Sequence, residues 1–154
     1  LEKIYKHAEE WRMGDPLDPA HRIGPLVSPS HFAKVKSFLG TGEKVLYGGN
    51  TAEERYVHPT VIELDSNAAR HAREEIFGPI LAVLTVDTLQ EAVAMANDTD
   101  YGLTASVFTA NGTRALRAAR AMKAGTITVN SFGEGDVTTP FGGYKQSEIG
   151  RAHV

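Results

Sequence analysis

Between Ile80 and Asn130 the chain alternates apolar, β-branched runs with helical stripes, and no other feature restricts its fold as strongly. Ile80 to Val86 is a continuous apolar run of the kind that suits a strand buried on both faces. Thr88, with Glu91 three residues later, forms a capping box, and Leu89, Ala92, Val93 and Ala96 predict the buried stripe of the helix it starts. Thr104 to Thr109 reads as a second strand. After an Asn111-Gly112 turn, Ala115, Leu116, Ala119 and Met122 mark a second helical face, stopped by Gly125. Thr126 to Asn130 supplies a third strand. Strands separated by helices on short connections predict parallel pairing with right-handed crossovers. The expected fold class is therefore α/β: a doubly wound, largely parallel sheet with flanking helices. Ligands of such sheets sit beyond the carboxyl ends of strands, and the loop from Ser131 to Ser147 begins at such an end.

The first half is less regular. Leu1, Ile4, Tyr5, Ala8 and Trp11 recur at helical spacing, so the chain opens in an amphipathic helix already under way, which suggests a part upstream. Gly14 to Pro29 carries Pro16, Pro19, Pro25 and Pro29 and is expected to be an extended connection. Phe32, Val35, Phe38 and Leu39 line a short helix ending at Gly40. Val45 to Tyr47 is expected as a strand before the Gly48-Gly49-Asn50 turn, and Tyr56 to Leu64 as a further extended stretch.

Composition removes several function classes. A chain of 154 residues fits one domain, and 42% hydrophobic with 23% charged residues is ordinary globular usage. Sixteen Lys and Arg against nineteen Asp and Glu, with no basic stripe, give no electrostatic support for a nucleic-acid partner. No apolar run approaches the roughly 20 residues of a membrane span. The first eleven residues read as a helix face and not a signal peptide, so the cytoplasm is the expected location. The six histidines, His7, His21, His31, His58, His71 and His153, form no i, i+4 pair with a partnering glutamate, and no metal centre is expected. Cysteine is absent, which excludes disulfides, thiolate metal sites and a thiolate nucleophile. No serine stands in a G-x-S-x-G setting either.

Four stretches in order, "GDPLDPAHRIGPLVS" (Gly14–Ser28), "REEIFGPILAV" (Arg73–Val83), "YGLTASVFT" (Tyr101–Thr109) and "PFGGYKQS" (Pro140–Ser147), the last followed by Gly150-Arg151, resemble the C-terminal part of the catalytic domain of NAD(P)-dependent aldehyde dehydrogenases. The likeness covers almost the whole chain. It implies oxidation of an aldehyde to a carboxylic acid: a cysteine thiolate adds to the carbonyl to form a thiohemiacetal, hydride passes to NAD or NADP, and a glutamate-activated water releases the thioester. This chain has no cysteine, and the family's glutamate base and glycine-rich cofactor segment would lie upstream of Leu1. Residues 1–154 are thus expected to be one portion of a catalytic domain, without the cofactor-binding domain and the nucleophile segment, and no catalytic residue is assigned to them. In a different class, the chain would be a non-catalytic binding or assembly module that keeps the fold. A phosphorylating or semialdehyde-type relative fits the four motifs less well.

The resemblance also implies roles for single residues. Glu75 matches the family residue that hydrogen-bonds the nicotinamide ribose, and Phe77 one that packs near the ring; without the motif they read as a solvated charge and a core aromatic. Pro140, Gly142 and Gly143 fix a loop that either takes positive φ or passes close to something. Phe141 by resemblance lines the aldehyde pocket, where the bland alternative is a plug in a hydrophobic gap. Asn130 is read as a loop organiser, while Tyr144 and Lys145 receive no chemistry. Glu134 and Asp136, in "SFGEGDVT", are similar to members that oxidise amino aldehydes and would face a cationic group on the substrate, or else are solvated loop carboxylates. The chain departs from the family at Glu148, where glycine is usual, and at Ala152, where glutamate is usual. If position 148 is left-handed, strain there is expected to fray the C-terminal end. The family's terminal segment for subunit contacts is not in this sequence, though the complete enzyme is expected to be a homo-oligomer.

Overall fold

The computed structural model describes residues 2–53, 55–133 and 138–152. They fall into two compact units, Leu1–Leu84 and Thr85–Val154.

In the first unit, helix α1 (Glu2–Glu10) precedes the proline-rich connection and α2 (Pro29–Lys36). Ser28 caps α2, its side chain accepting the His31 amide at 3.1 Å, and Pro29 occupies the first turn, where a missing N–H costs nothing. Strand β1 (Lys44–Tyr47) pairs antiparallel with β2 (Thr60–Glu63), and β2 pairs parallel with β3 (Ile80–Val83) through the short helix α3 (Arg70–Arg73). The central strand β2 is the buried one: Thr60, Val61 and Ile62 are all inside. Beneath it Val35, Phe38, Val57 and Ile76 form a core against which Leu26, Phe32, Leu39 and Ile80 pack. The helical stripe read at Phe32, Val35, Phe38 and Leu39 is the one that faces this core, although α2 itself ends at Lys36.

In the second unit α4 (Leu89–Asn97) is followed by β4 (Thr104–Val107), α5 (Gly112–Ala121) and β5 (Thr126–Val129). β4 and β5 pair parallel across α5, which is the expected β-α-β crossover. Thr88 caps α4 by accepting the Glu91 amide at 3.1 Å, and the Glu91 carboxylate accepts the Asp87 amide, also at 3.1 Å. Asn111 caps α5 in the same manner through the Arg114 amide. Two short strands, β6 (Phe141–Gly142) and β7 (Arg151–Ala152), pair antiparallel around a 3-10 turn at Lys145–Ser147.

The class is α/β, as the alternation of elements predicts, but three details differ. The hydrogen-bonded neighbour of β3 is β2, not the next strand in sequence, so among the described residues β3 has one strand neighbour, and Leu81 is 47% exposed. It is not buried on both faces. The buried face of α5 is Ala115 and Ala118, with Leu116 turned outward at 58% exposure, because positions three and four apart share a helix face and adjacent ones do not. The stripe of α4 at Leu89, Ala92 and Val93 is half-buried, and Ala96 is exposed.

Candidate active-site segments

The turn from Glu74 to Gly78 joins α3 to β3 and carries two of the sequence-derived site residues. Ile76 points inward and is 8% exposed, so its neighbours Glu75 and Phe77 are both displayed outward, Phe77 at 67%. Phe77 has φ 58°, in the left-handed region that a bulky side chain rarely enters. That conformation is held from two sides. Gly78 lies so close to α2 that a Cβ there would stand 2.6 Å from Cγ1 of Val35, which is itself fully buried. From α2, His31 Nε2 lies 2.7 Å from the Phe77 carbonyl oxygen and acts as its donor, and Lys34 Nζ donates to the Glu75 carbonyl at 2.8 Å. Such a backbone conformation at a non-glycine residue persists only where its surroundings over-determine it. Displayed outward, Phe77 is not the core aromatic of the bland reading.

The same turn carries a polar anchor on its other side. Arg70 Nε donates to Glu74 Oε1 at 3.0 Å, Arg70 Nη1 donates to Ser37 Oγ at 3.2 Å, and the guanidinium sits 3.8 Å from the Phe38 ring centroid. The bond from Arg70 holds the Glu74 carboxyl below its ordinary value. Glu75 thus keeps its carboxylate outward while its neighbour is engaged.

The loop that carries Phe141 belongs to the second unit. Gly142 and Gly143 do not take positive φ; close approach is instead the constraint at Gly125 and Gly143. A Cβ on Gly125 would collide with the Gly142 carbonyl, and one on Gly143 would stand 3.1 Å from Ser147 Cβ. Phe141 itself is 52% exposed on β6, so it is displayed and is not a plug. Asn130, at φ 55°, accepts the Thr109 amide at 2.8 Å and donates to the Thr109 carbonyl at 3.1 Å, tying the end of β5 to the end of β4. It organises a loop, as read. Glu134 and Asp136 lie outside the described residues.

Two expectations at the C-terminal end are corrected. Glu148 has φ −151°, an extended conformation open to any residue, so no left-handed strain resides there. The left-handed residue is Lys145, at φ 55°. Nor is the segment frayed at Arg151–Ala152, which pair with Gly142 and Phe141 in β7. His31, Lys34 and Lys145 carry no motif signal for what they hold, since their partners stand 41 to 48 residues away along the chain.

An α/β fold, a strained carboxylate-bearing turn and a glycine-supported aromatic loop are the features on which the family assignment can be compared. The chain belongs to the aldehyde dehydrogenase family, whose profile matches residues 1–154. It is 52% identical to aminoacetaldehyde dehydrogenase of Pseudomonas aeruginosa, over 97% of this chain and 31% of that protein. To betaine aldehyde dehydrogenase of Cereibacter sphaeroides it is 43% identical, over 98% of this chain and 32% of the relative. Its fold matches the crystal structure of an indole-3-acetaldehyde dehydrogenase with NAD+ at a TM-score of 0.92 and 44% identity, covering 97% of this chain and 32% of that one. The chain spans about a third of the length of these relatives.

Proposed function

We propose that the chain is the C-terminal portion of the catalytic domain of an NAD(P)-dependent aldehyde dehydrogenase, in which it supplies cofactor and substrate contacts while other segments of the subunit supply the nucleophile. The observation that carries this reading is the Glu74–Gly78 turn, which holds Phe77 at φ 58° and displays a carboxylate and an aromatic ring on either side of a buried Ile76. Such a turn fits a nicotinamide nucleotide. A carboxylate accepts hydrogen bonds from two ribose hydroxyls at once, and an exposed ring packs beside a planar heterocycle. When bound, the nucleotide supplies the hydride acceptor. Glu75 orients its ribose, Phe77 limits the tilt of its ring, and Phe141 walls the aldehyde and excludes water. The thiolate that attacks the aldehyde carbonyl, and the glutamate that activates water against the resulting thioester, come from outside this cysteine-free chain.

At finer resolution, we propose that the substrate is an aldehyde with a distal amino or ammonium group, faced by Glu134 and Asp136. The names of the aminoacetaldehyde and betaine aldehyde dehydrogenases among the relatives support that class. In the complete enzyme, Glu134→Gln with Asp136→Asn is expected to raise KM for amino aldehydes while sparing neutral ones; an equal rise for both refutes the assignment. The complete enzyme is further proposed to be a cytoplasmic homo-oligomer acting on this small molecule, without a nucleic-acid or membrane partner.

The decisive experiment combines the intact mass of the native protein with an assay of NAD-dependent aldehyde oxidation. A mass well above 16.6 kDa, with turnover abolished by a thiol-alkylating reagent, supports the reading. The absence of cysteine favours one alternative, a non-catalytic binding or assembly module. A native mass of 16.6 kDa without turnover supports that alternative instead.

A further inference from the structure

We infer that Lys145 is a positioning residue for the substrate loop: its ammonium group staples the segment bearing Phe141 to the C-terminal end of α4. Lys145 Nζ donates to two backbone carbonyls, Asn97 O at 2.6 Å and Thr99 O at 2.8 Å. Both belong to the last turn of α4 or to the residues just beyond it, where carbonyl groups lack helical partners and the helix dipole favours a cation. Lys145 makes these bonds at φ 55°, a conformation that a lysine enters only at a cost and only when its surroundings hold it there.

The platform under the staple is itself rigid. Asn97 donates from Nδ2 to the Ala121 carbonyl at 2.8 Å and accepts the Lys123 amide on Oδ1 at 2.7 Å, so the C-terminal ends of α4 and α5 are locked to each other. The loop backbone is laid along the same platform: Tyr144 N donates to Gly102 O, and Gln146 N to Asp100 O, each at 2.9 Å. Ser147 Oγ accepts the Gly102 amide at 2.9 Å. Gly102 allows this approach, since a Cβ there would meet Lys123 O at 2.5 Å and Tyr144 Cβ at 3.1 Å. Phe141 lies four residues before Lys145 and pairs with Ala152 in β6–β7, and the next residue, Gly142, closely approaches Gly125. Releasing the ammonium removes a side-chain charge that draws this loop onto α4, and leaves the Phe141 ring less fixed.

The inference rests on the reading of Phe141 as a wall of the aldehyde site, and the test separates the two. In the complete enzyme, Lys145→Met, Lys145→Arg, Phe141→Ala and the Lys145→Met/Phe141→Ala pair are compared by steady-state kinetics. Lys145→Met is expected to raise the aldehyde KM about fivefold, the scale of a lost cation at a helix end, with kcat and the KM for NAD changed less than about twofold. Lys145→Arg should recover most of that loss, and in the Phe141→Ala background Lys145→Met should add nothing, because no ring remains to be placed. Amide exchange at Tyr144 and Gln146 is expected to accelerate in Lys145→Met while exchange in β2 stays constant, which guards against a variant that merely fails to fold. If Phe141→Ala leaves the aldehyde KM unchanged, the reading of Phe141 fails. If Phe141→Ala raises KM but Lys145→Met has no effect, or lowers kcat and every KM alike in both backgrounds, Lys145 does not position the loop.

Discussion

Phe77 and Gly78 are adjacent, yet the physical demands on them are opposite. At Phe77 the demand is conformational, because a φ of 58° costs an L side chain about 1–2 kcal/mol. At Gly78 the demand is spatial, because Val35 Cγ1 would stand 2.6 Å from any Cβ and is packed in the core. Phe77→Gly is therefore expected to change the stability of the chain by less than about 1 kcal/mol, relief of strain offsetting the added entropy of the unfolded chain. Gly78→Ala should cost about 1–3 kcal/mol by overpacking. Urea titrations of both variants check the pair, and equal losses would show that the turn is not strained. Glu74, one residue before Glu75, responds to pH. Its folded carboxyl titrates lower than the ordinary 4.5 because Arg70 donates to it, so the unfolded chain binds more protons in the window between the two values. The stabilisation is complete above 4.5 and fades as pH falls through the lowered folded value. The melting temperature of the native chain should exceed that of Glu74→Gln at pH 7, converge with it in acid, and converge also at high salt, since the pair is solvent-exposed.

At the scale of elements, caps and stripes decide what the sequence makes visible. Thr88 and Glu91 sit three residues apart, and the bonds from the Glu91 amide to Thr88 and from the Asp87 amide to the Glu91 carboxylate form within one turn, so the start of α4 is legible without tertiary information. Thr88→Ala should cost about 1 kcal/mol, accelerate exchange of the Glu91 amide and leave the Arg114 amide at the Asn111 cap of α5 unchanged. Strand pairing is different in kind. The run from Ile80 announces a strand, but nothing local reveals that β3 bonds backward to Thr60–Glu63 and not forward to Thr104–Val107. Side-chain-to-backbone staples are equally invisible, as Lys34 on the Glu75 carbonyl and Lys145 on α4 demonstrate. The motifs singled out Glu75, Phe77 and Phe141 because carboxylate and aromatic side chains are the types a ligand would contact directly. They did not reveal the bonds made by His31, Lys34 and Lys145 to backbone carbonyls far along the chain, even though Lys145 stands within a motif.

Across the whole molecule the apolar burial is unequally divided, and this sets how the chain should come apart. Among the described residues of the Leu1–Leu84 unit, Val35, Phe38 and Ile62 are fully buried and Val57, Val61, Leu64 and Ile76 nearly so. Among the described residues of the Thr85–Val154 unit the buried apolar ones are Ala115, Ala118 and Ala124. Burying a large aliphatic or aromatic side chain contributes roughly 1.5–3 kcal/mol and a methyl group under about 1, so the first unit holds most of the hydrophobic stabilisation. The second unit relies on caps, the β4–β5 ladder and the Asn97 and Lys145 bonds, which individually offer about 1 kcal/mol in net terms. Unfolding of the 154-residue chain is therefore expected to be stepwise. In a urea series followed by amide exchange, β4 and β5 should lose protection at lower denaturant than β2, and the second transition should carry the larger share of the fluorescence change from Trp11. A single transition, with β2 and β5 losing protection together, would mean that the second unit draws stability from sources other than its own buried side chains. The loop that carries Phe141 would then be held by the whole chain and not by its own platform.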